Sequence, residues 1–214
     1  MDDAPRLRQP WTPERANQWY AEKDWLVGCN YIPSTAVNQL EMWEAETFDP
    51  QIIDRELSWA ARLGFNSVRV FLHHLLWEHD AEGLITRMEV FLSIAHRHHI
   101  GVMFVLFDGV WNPHPTAGKR EFTPGVHNSG WLQSPGAAIL KSPGLHDTLE
   151  PYVRGILRHF ANDARVDVWD LFNEPFDIRA DGTVHAPDRP GLGFTLRADA
   201  LERFRYVDGP EFQF

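Results

Sequence analysis

The unbroken apolar run Val102-Met103-Phe104-Val105-Leu106-Phe107 constrains this chain more than any other stretch. Apolar side chains at every position leave neither face polar, which suits a strand buried on both faces of a parallel sheet. Three further runs fit the same sheet: Trp25 to Cys29 first, Phe65 to Leu72 second, and Val166 to Asn173 fourth. Helical patterns separate them. Thr12-Pro13-Glu14 combines a cap, a first-turn proline and an acid at the positive end of the dipole, predicting a helix from Pro13 to Ala21. Asp49-Pro50 repeats that start, and Ile53, Leu57, Ala60 and Leu63 follow at helical spacing until Gly64 stops them. Ile85, Met88, Phe91, Leu92 and Ala95 mark the next helix. Leu149, Tyr152, Val153, Ile156, Leu157 and Phe160 mark the one before strand four. The alternation β-α-β-α-β-α-β, with helical crossovers, makes the strands parallel and the fold class α/β.

Residues 108 to 143 carry five prolines and five glycines, a composition that sustains neither helix nor central strand. A connection of that length inside a compact domain is usually functional or disordered. The organisation expected is an N-terminal extension over 1–12, the βα region over 13–176, and an irregular tail over 177–214 with one short helix at most. A net charge of -10, with Lys and Arg scattered among acids, argues against nucleic acid as partner. The single cysteine, Cys29, allows no internal disulfide and sits in an apolar run, where a buried thiol is expected. Met1 to Arg6 lack the apolar core of a secretory signal, and no apolar run is long enough to span a bilayer, so no membrane partner and a cytoplasmic location are expected. Nine Trp and fourteen Phe are a heavy aromatic load. Core packing accounts for most Trp, but sugar clefts also use the ring face for stacking and the N–H for a hydroxyl.

In a parallel α/β barrel, catalytic groups gather just past the carboxyl ends of the strands. Those positions here hold Asn30 and Tyr31, His73 and His74, Asp108 and Trp111, and Asn173 and Glu174. Glu174 is the candidate catalytic acid. Arg69 lies inside the second strand, where a guanidinium is costly unless it pairs with an acid. Asp170, inside the fourth strand, suits pairing with a neighbour better than action on a substrate. Eleven histidines invite a metal reading, but no HExxH or HxxxE spacing supports it, and no metal or other cofactor is expected.

Three stretches resemble glycoside hydrolase family five, the cellulase-like (β/α)8 enzymes of clan A. They are Trp169-Asp170-Leu171-Phe172-Asn173-Glu174-Pro175, Asn66-Ser67-Val68-Arg69-Val70, and the opening Trp25 to Ser34. The resemblance covers about residues 13 to 175. It implies a retaining hydrolase of β-linked glycans in which Glu174 is the acid/base, Asn173 hydrogen-bonds the 2-hydroxyl beside the cleaved bond, and Arg69 braces the carboxylates. The ligand would be an oligo- or polysaccharide, contacted by Asn30, His73, His74 and Asp108, with Trp43, Trp77, Trp111 and Trp131 as stacking platforms. Such an acid holds its proton near neutral pH when it is buried among aromatic rings.

A retaining glycosidase needs a second carboxylate about 5–5.5 Å from the first. In the family that nucleophile ends strand seven, and nothing after Pro175 matches the later pattern. Glu211 sits in a superficially similar Pro-Glu-Phe, but three more strand-helix units need roughly 80 residues, far more than separate it from Glu174. A barrel takes about 250 residues. The expectation is therefore the first four βα units of a barrel, a partial (β/α)8 fold truncated before its nucleophile. The alternative is a catalytically inactive half-barrel that at most binds sugar weakly. Either way, the free edges of strands one and four invite self-association.

Overall fold

A computed structural model describes residues 12–174. The expected tail over 177–214, Glu211 within it, and nearly all of the expected N-terminal extension lie outside the described residues.

Four strands, β1 (Gly28–Asn30), β2 (Ser67–Phe71), β3 (Gly101–Asp108) and β4 (Val166–Asn173), form one parallel sheet in the order β1-β2-β3-β4. The helices are α1 (Pro13–Ala21), α2 (Gln39–Trp43), α3 (Pro50–Arg62), α4 (His74–Arg97), α5 (Ala137–Leu140) and α6 (Glu150–Phe160). A 3-10 helix, Pro143–Leu149, leads into α6. This is the α/β class that the alternation implies. Crossovers of the usual right hand, taken in sequential strand order, set successive helices on one face. That face is the core. Val68, Val70, Val102, Phe104 and Leu106 bury there against Ile53 and Leu57 of α3, Met88 and Phe91 of α4, and Ile156 and Phe160 of α6. The alternate residues Arg69, Met103, Val168 and Asp170 turn to the opposite face and are only half-buried.

Capping sets several helix starts. The Asp49 carboxylate accepts from the N–H of Gln51 and Ile52, both at 3.0 Å, and a cap of this kind contributes about 1 kcal/mol. Before α4, His73 Nδ1 accepts from Leu75 N at 3.2 Å, which starts that helix about ten residues earlier than its apolar pattern suggests. Asp80 then breaks α4 with φ -156 and ψ 69, and its carboxylate caps the second half by accepting from Gly83 N at 3.0 Å.

The first strand is shorter and later than its sequence implies. Asn66 accounts for the shift: its side-chain amide donates to Trp25 O at 2.9 Å and accepts from Val27 N at 2.8 Å, standing in for a strand partner. Trp25 is 76% exposed. Cys29 is likewise exposed, against the expectation of a buried thiol, because it lies on the edge strand and no described helix packs over it. Partial burial still pushes its pKa up, so it is not an activated thiolate.

The long connection after β3 is not featureless, because side chains from elsewhere hold it. Gln39 donates to Leu132 O and accepts from Leu132 N at 3.3 Å, Asn38 donates to Gly130 O at 3.0 Å, and Glu41 accepts from Arg120 N at 3.1 Å. Asp108 and Ser134 exchange backbone hydrogen bonds of 2.6 and 3.0 Å. Among the described residues no helix is long and apolar enough to cross a membrane, and β1 and β4 form the two edges of the sheet.

Candidate active site

The carboxyl ends of β2, β3 and β4 bring most of the strand-end residues together. Arg69 projects from the middle of β2 on the half-buried face. Its Nε and Nη2 both donate to Asp170 Oδ2 of β4, at 3.0 and 2.5 Å. Nη1 donates to Asn30 Oδ1 at 3.2 Å, and Nη2 also reaches Asn173 Oδ1 at 3.0 Å. The guanidinium therefore spans β1, β2 and β4, and its acid partner is Asp170. No described contact joins it to Glu174.

Asp108 ends β3 and is 1% exposed. Its Oδ1 accepts from Val110 N at 3.0 Å and from Asn173 Nδ2 at 3.1 Å, while Oδ2 accepts from Trp111 Nε1 at 2.9 Å. Burial pushes its pKa above the ordinary 3.8, the three donors pull the other way, and the nearby Glu174 charge adds to the rise. A residue so enclosed does not present a face to a ligand, which corrects its expected role as a direct sugar contact.

Glu174 follows β4 directly and is exposed, with φ at +47, a left-handed conformation that a non-glycine residue adopts at some cost in strain. Among the described residues no aromatic enclosure surrounds it, contrary to expectation. Gly109 makes room for the turn: its N–H donates to Asn173 O at 3.0 Å, and a methyl at 109 would stand 2.8 Å from the Glu174 carbonyl oxygen.

Trp111 and Trp131 lie beside this group. Their ring centroids are 5.6 Å apart, Trp131 meets Phe71 edge-on at 5.3 Å, and the Arg69 guanidinium lies 4.8 Å from the Phe71 ring. The buried Phe71 ring and the half-buried Trp111 and Trp131 rings form an aromatic ledge running from Arg69 outward. Phe71 is a member that sequence alone did not single out, although its place two residues after Arg69 on the same strand face was readable.

Four expected contacts lie elsewhere. Trp43 is wholly buried, its Nε1 donating to Phe71 O at 2.9 Å and its ring set edge-on to Phe91, so it is core and cannot stack on a ligand. Trp77 packs from α4 onto α6, with Tyr152 at 6.5 Å and Gly155 directly beneath its ring, on the helix side of the sheet. His73 is 0% exposed, and its Nε2 meets Gln133 O at 3.0 Å while Nδ1 caps α4. His74 is buried as well and bonds Ser134 Oγ through both its backbone N–H and Nδ1. These two histidines pin the long connection and do not face a ligand. Burial drives both imidazoles toward the neutral form, His73 well below 6.5 and His74 down to about 4.

Gln133 is a neighbour that strand-end reasoning passes over. It donates from Nε2 to Gly109 O at 2.8 Å, and its buried Oε1 has no hydrogen-bond partner among the described residues. No cluster of three or more His, Cys, Asp or Glu suited to a metal ion occurs among the described residues.

The arrangement offers one exposed carboxylate, an amide held between a carboxylate and a guanidinium, and adjacent ring faces. No family model matches the chain, and no curated protein matches it. Among solved structures it is similar to a beta-mannanase from the blue mussel Mytilus edulis, at 20% identity and a TM-score of 0.45, over 70% of this chain. The chain spans 41% of the length of that structure.

Proposed function

We propose that this chain contributes the acid/base half of a retaining glycoside hydrolase site for β-linked glycans, on the first four βα units of a (β/α)8 barrel. The observation that carries the reading is Asn173-Glu174 at the carboxyl end of β4, with the Asn173 amide clamped between Arg69 and Asp108 and the Glu174 side chain exposed directly after it. Glu174 protonates the leaving oxygen, Asn173 positions the sugar, Arg69 with Asp170 keeps the strand ends in register, and Trp111 and Trp131 carry pyranose rings. The location at the strand ends and the resemblance around Asn173-Glu174-Pro175 support these roles.

A second reading, sugar binding without turnover, is favoured by the state of the other carboxylates. Asp108 is closed in by three donors and Asp170 is paired with Arg69, so neither is a free nucleophile among the described residues. Incubation with aryl β-glycosides and with soluble glucan, xylan and mannan separates the two. The hydrolytic reading expects turnover that Glu174→Gln reduces at least a hundredfold, in line with the 10²–10⁴ contributed by a general acid, with oligosaccharide affinity retained. Binding without turnover in the parent protein selects the second reading, and absence of both rejects the site.

A further inference from the structure

We propose that Asp108 is a positioning residue that sets the orientation of the Asn173 amide and the seat of Trp111, so that one buried carboxylate couples the polar and the stacking halves of the site. The amide of Asn173 lies between a group that can only accept and a group that can only donate: its Nδ2 meets Asp108 Oδ1 at 3.1 Å, and its Oδ1 meets Arg69 Nη2 at 3.0 Å. A flipped amide would set oxygen against carboxylate and NH2 against guanidinium. Only one orientation survives. The same carboxylate holds the Trp111 indole N–H with its other oxygen at 2.9 Å. Trp111 needs that anchor, because its backbone sits at φ +77, where a non-glycine residue is strained. From Trp111 the ledge continues through Trp131 to Phe71. A displacement at Asp108 therefore reaches the amide beside Glu174 and the rings together.

Asn cannot replace Asp108 silently. An amide has one accepting oxygen, so either its nitrogen faces the Trp111 N–H or it faces the Val110 and Asn173 donors, and one side of the junction is lost in both cases. That Asp108 positions sugar-facing groups rests on the function proposed above; the coupling itself does not, and its test needs neither sugar nor turnover.

The test uses the full chain, labelled with nitrogen-15, and follows the Trp111 indole N–H and the Asn173 side-chain NH2, each identified by its disappearance in Trp111→Phe or Asn173→Ala. Asn173→Ala is expected to shift the Trp111 indole resonance in the parent protein and to leave it in place in an Asp108→Asn background. An equal shift in both backgrounds, or none in the parent, overturns the proposal. A reciprocal comparison leaves Asp108 untouched, in case its replacement does not fold. Trp111→Phe should shift the Asn173 NH2 pair, whereas Trp131→Leu, which removes a ring that touches Trp111 without bonding Asp108, should not. If the two Trp variants move the pair alike, or neither moves it, Asp108 does not carry the coupling. A failed hydrolysis assay leaves these outcomes unchanged, so the two proposals fail separately.

Discussion

His73 caps α4 and His74 opens it, both rings shut away from solvent, and burial favours their neutral forms. The folded state thus holds fewer protons than the unfolded chain as pH falls. Their contribution to stability is complete above the ordinary value of 6.5 and is lost as pH falls toward about 4, where His74 begins to charge inside the fold. For His74 the shift corresponds to about 3 kcal/mol. Urea denaturation at pH steps between 7 and 4 should show that loss, and a total fall over the interval smaller by about that amount in His74→Gln. An unchanged fall would remove the acid-labile role. Asp108 works in the opposite sense: its raised pKa favours the protonated form in the fold, so its contribution is present below 3.8 and is lost as pH rises through the folded value. Subtracting the Asp108→Asn curve from that of the parent protein should reveal a fall with increasing pH. The tryptophans divide in the same residue-by-residue way. Trp43→Ala should cost about 3–5 kcal/mol, as loss of a buried ring with a satisfied N–H does. Trp131→Ala should cost clearly less and instead weaken oligosaccharide retention in affinity electrophoresis.

Between elements, α4 packs closely against α6. A methyl on Gly155 would lie 1.9 Å from Trp77 Cη2, and a rigid ring end has little room to retreat. Gly155→Ala gains about 1 kcal/mol of helix propensity but overpacks by about 1–3 kcal/mol, so a net loss is expected in urea denaturation. Trp77→Leu in the same chain should recover most of it; no recovery would place the cost elsewhere. Elements built on long local patterns are legible in the sequence: β3, β4 and α6 follow their apolar runs closely, and α3 its apolar run and its Asp49 cap. The start of β1 was not, because the Asn66 amide, some forty positions away, replaces the ladder there. α2 spans five residues, too short to show periodicity, although Asn38 with Glu41 three residues on carries a capping signal. Hydrogen bonds link Asn30, Asn173, Asp108 and Trp111 through Arg69, but the strand-end rule could not separate rings and imidazoles that face the ledge from those that hold the loop. That separation depends on hydrogen bonds such as His73 to Gln133 and Trp43 to Phe71, whose partners lie tens of residues apart.

Among the described residues, the helices shield one face of the sheet, the opposite face is half-buried, and the edge strands β1 and β4 each pair on one side. Leu171, on the edge strand β4, is 63% exposed. Exposed apolar edges pair with other chains, and a net charge of -10 opposes that pairing by a repulsion that salt screens. Sedimentation velocity should therefore show larger species growing with protein concentration and with salt, and Leu171→Lys should reduce them. A monomer at all salt concentrations would show that the edges are protected. Under the proposed function, sugar is held across Asn173, Glu174, Trp111 and Trp131. The most direct test is to titrate nitrogen-15-labelled protein with β-linked gluco-, xylo- and manno-oligosaccharides. At least one of them should shift the Trp111 and Trp131 indole resonances and the Asn173 amide pair together while leaving the Trp43 and Trp77 indoles in place; shifts confined to other residues, or none with any of the three, would rule out this site.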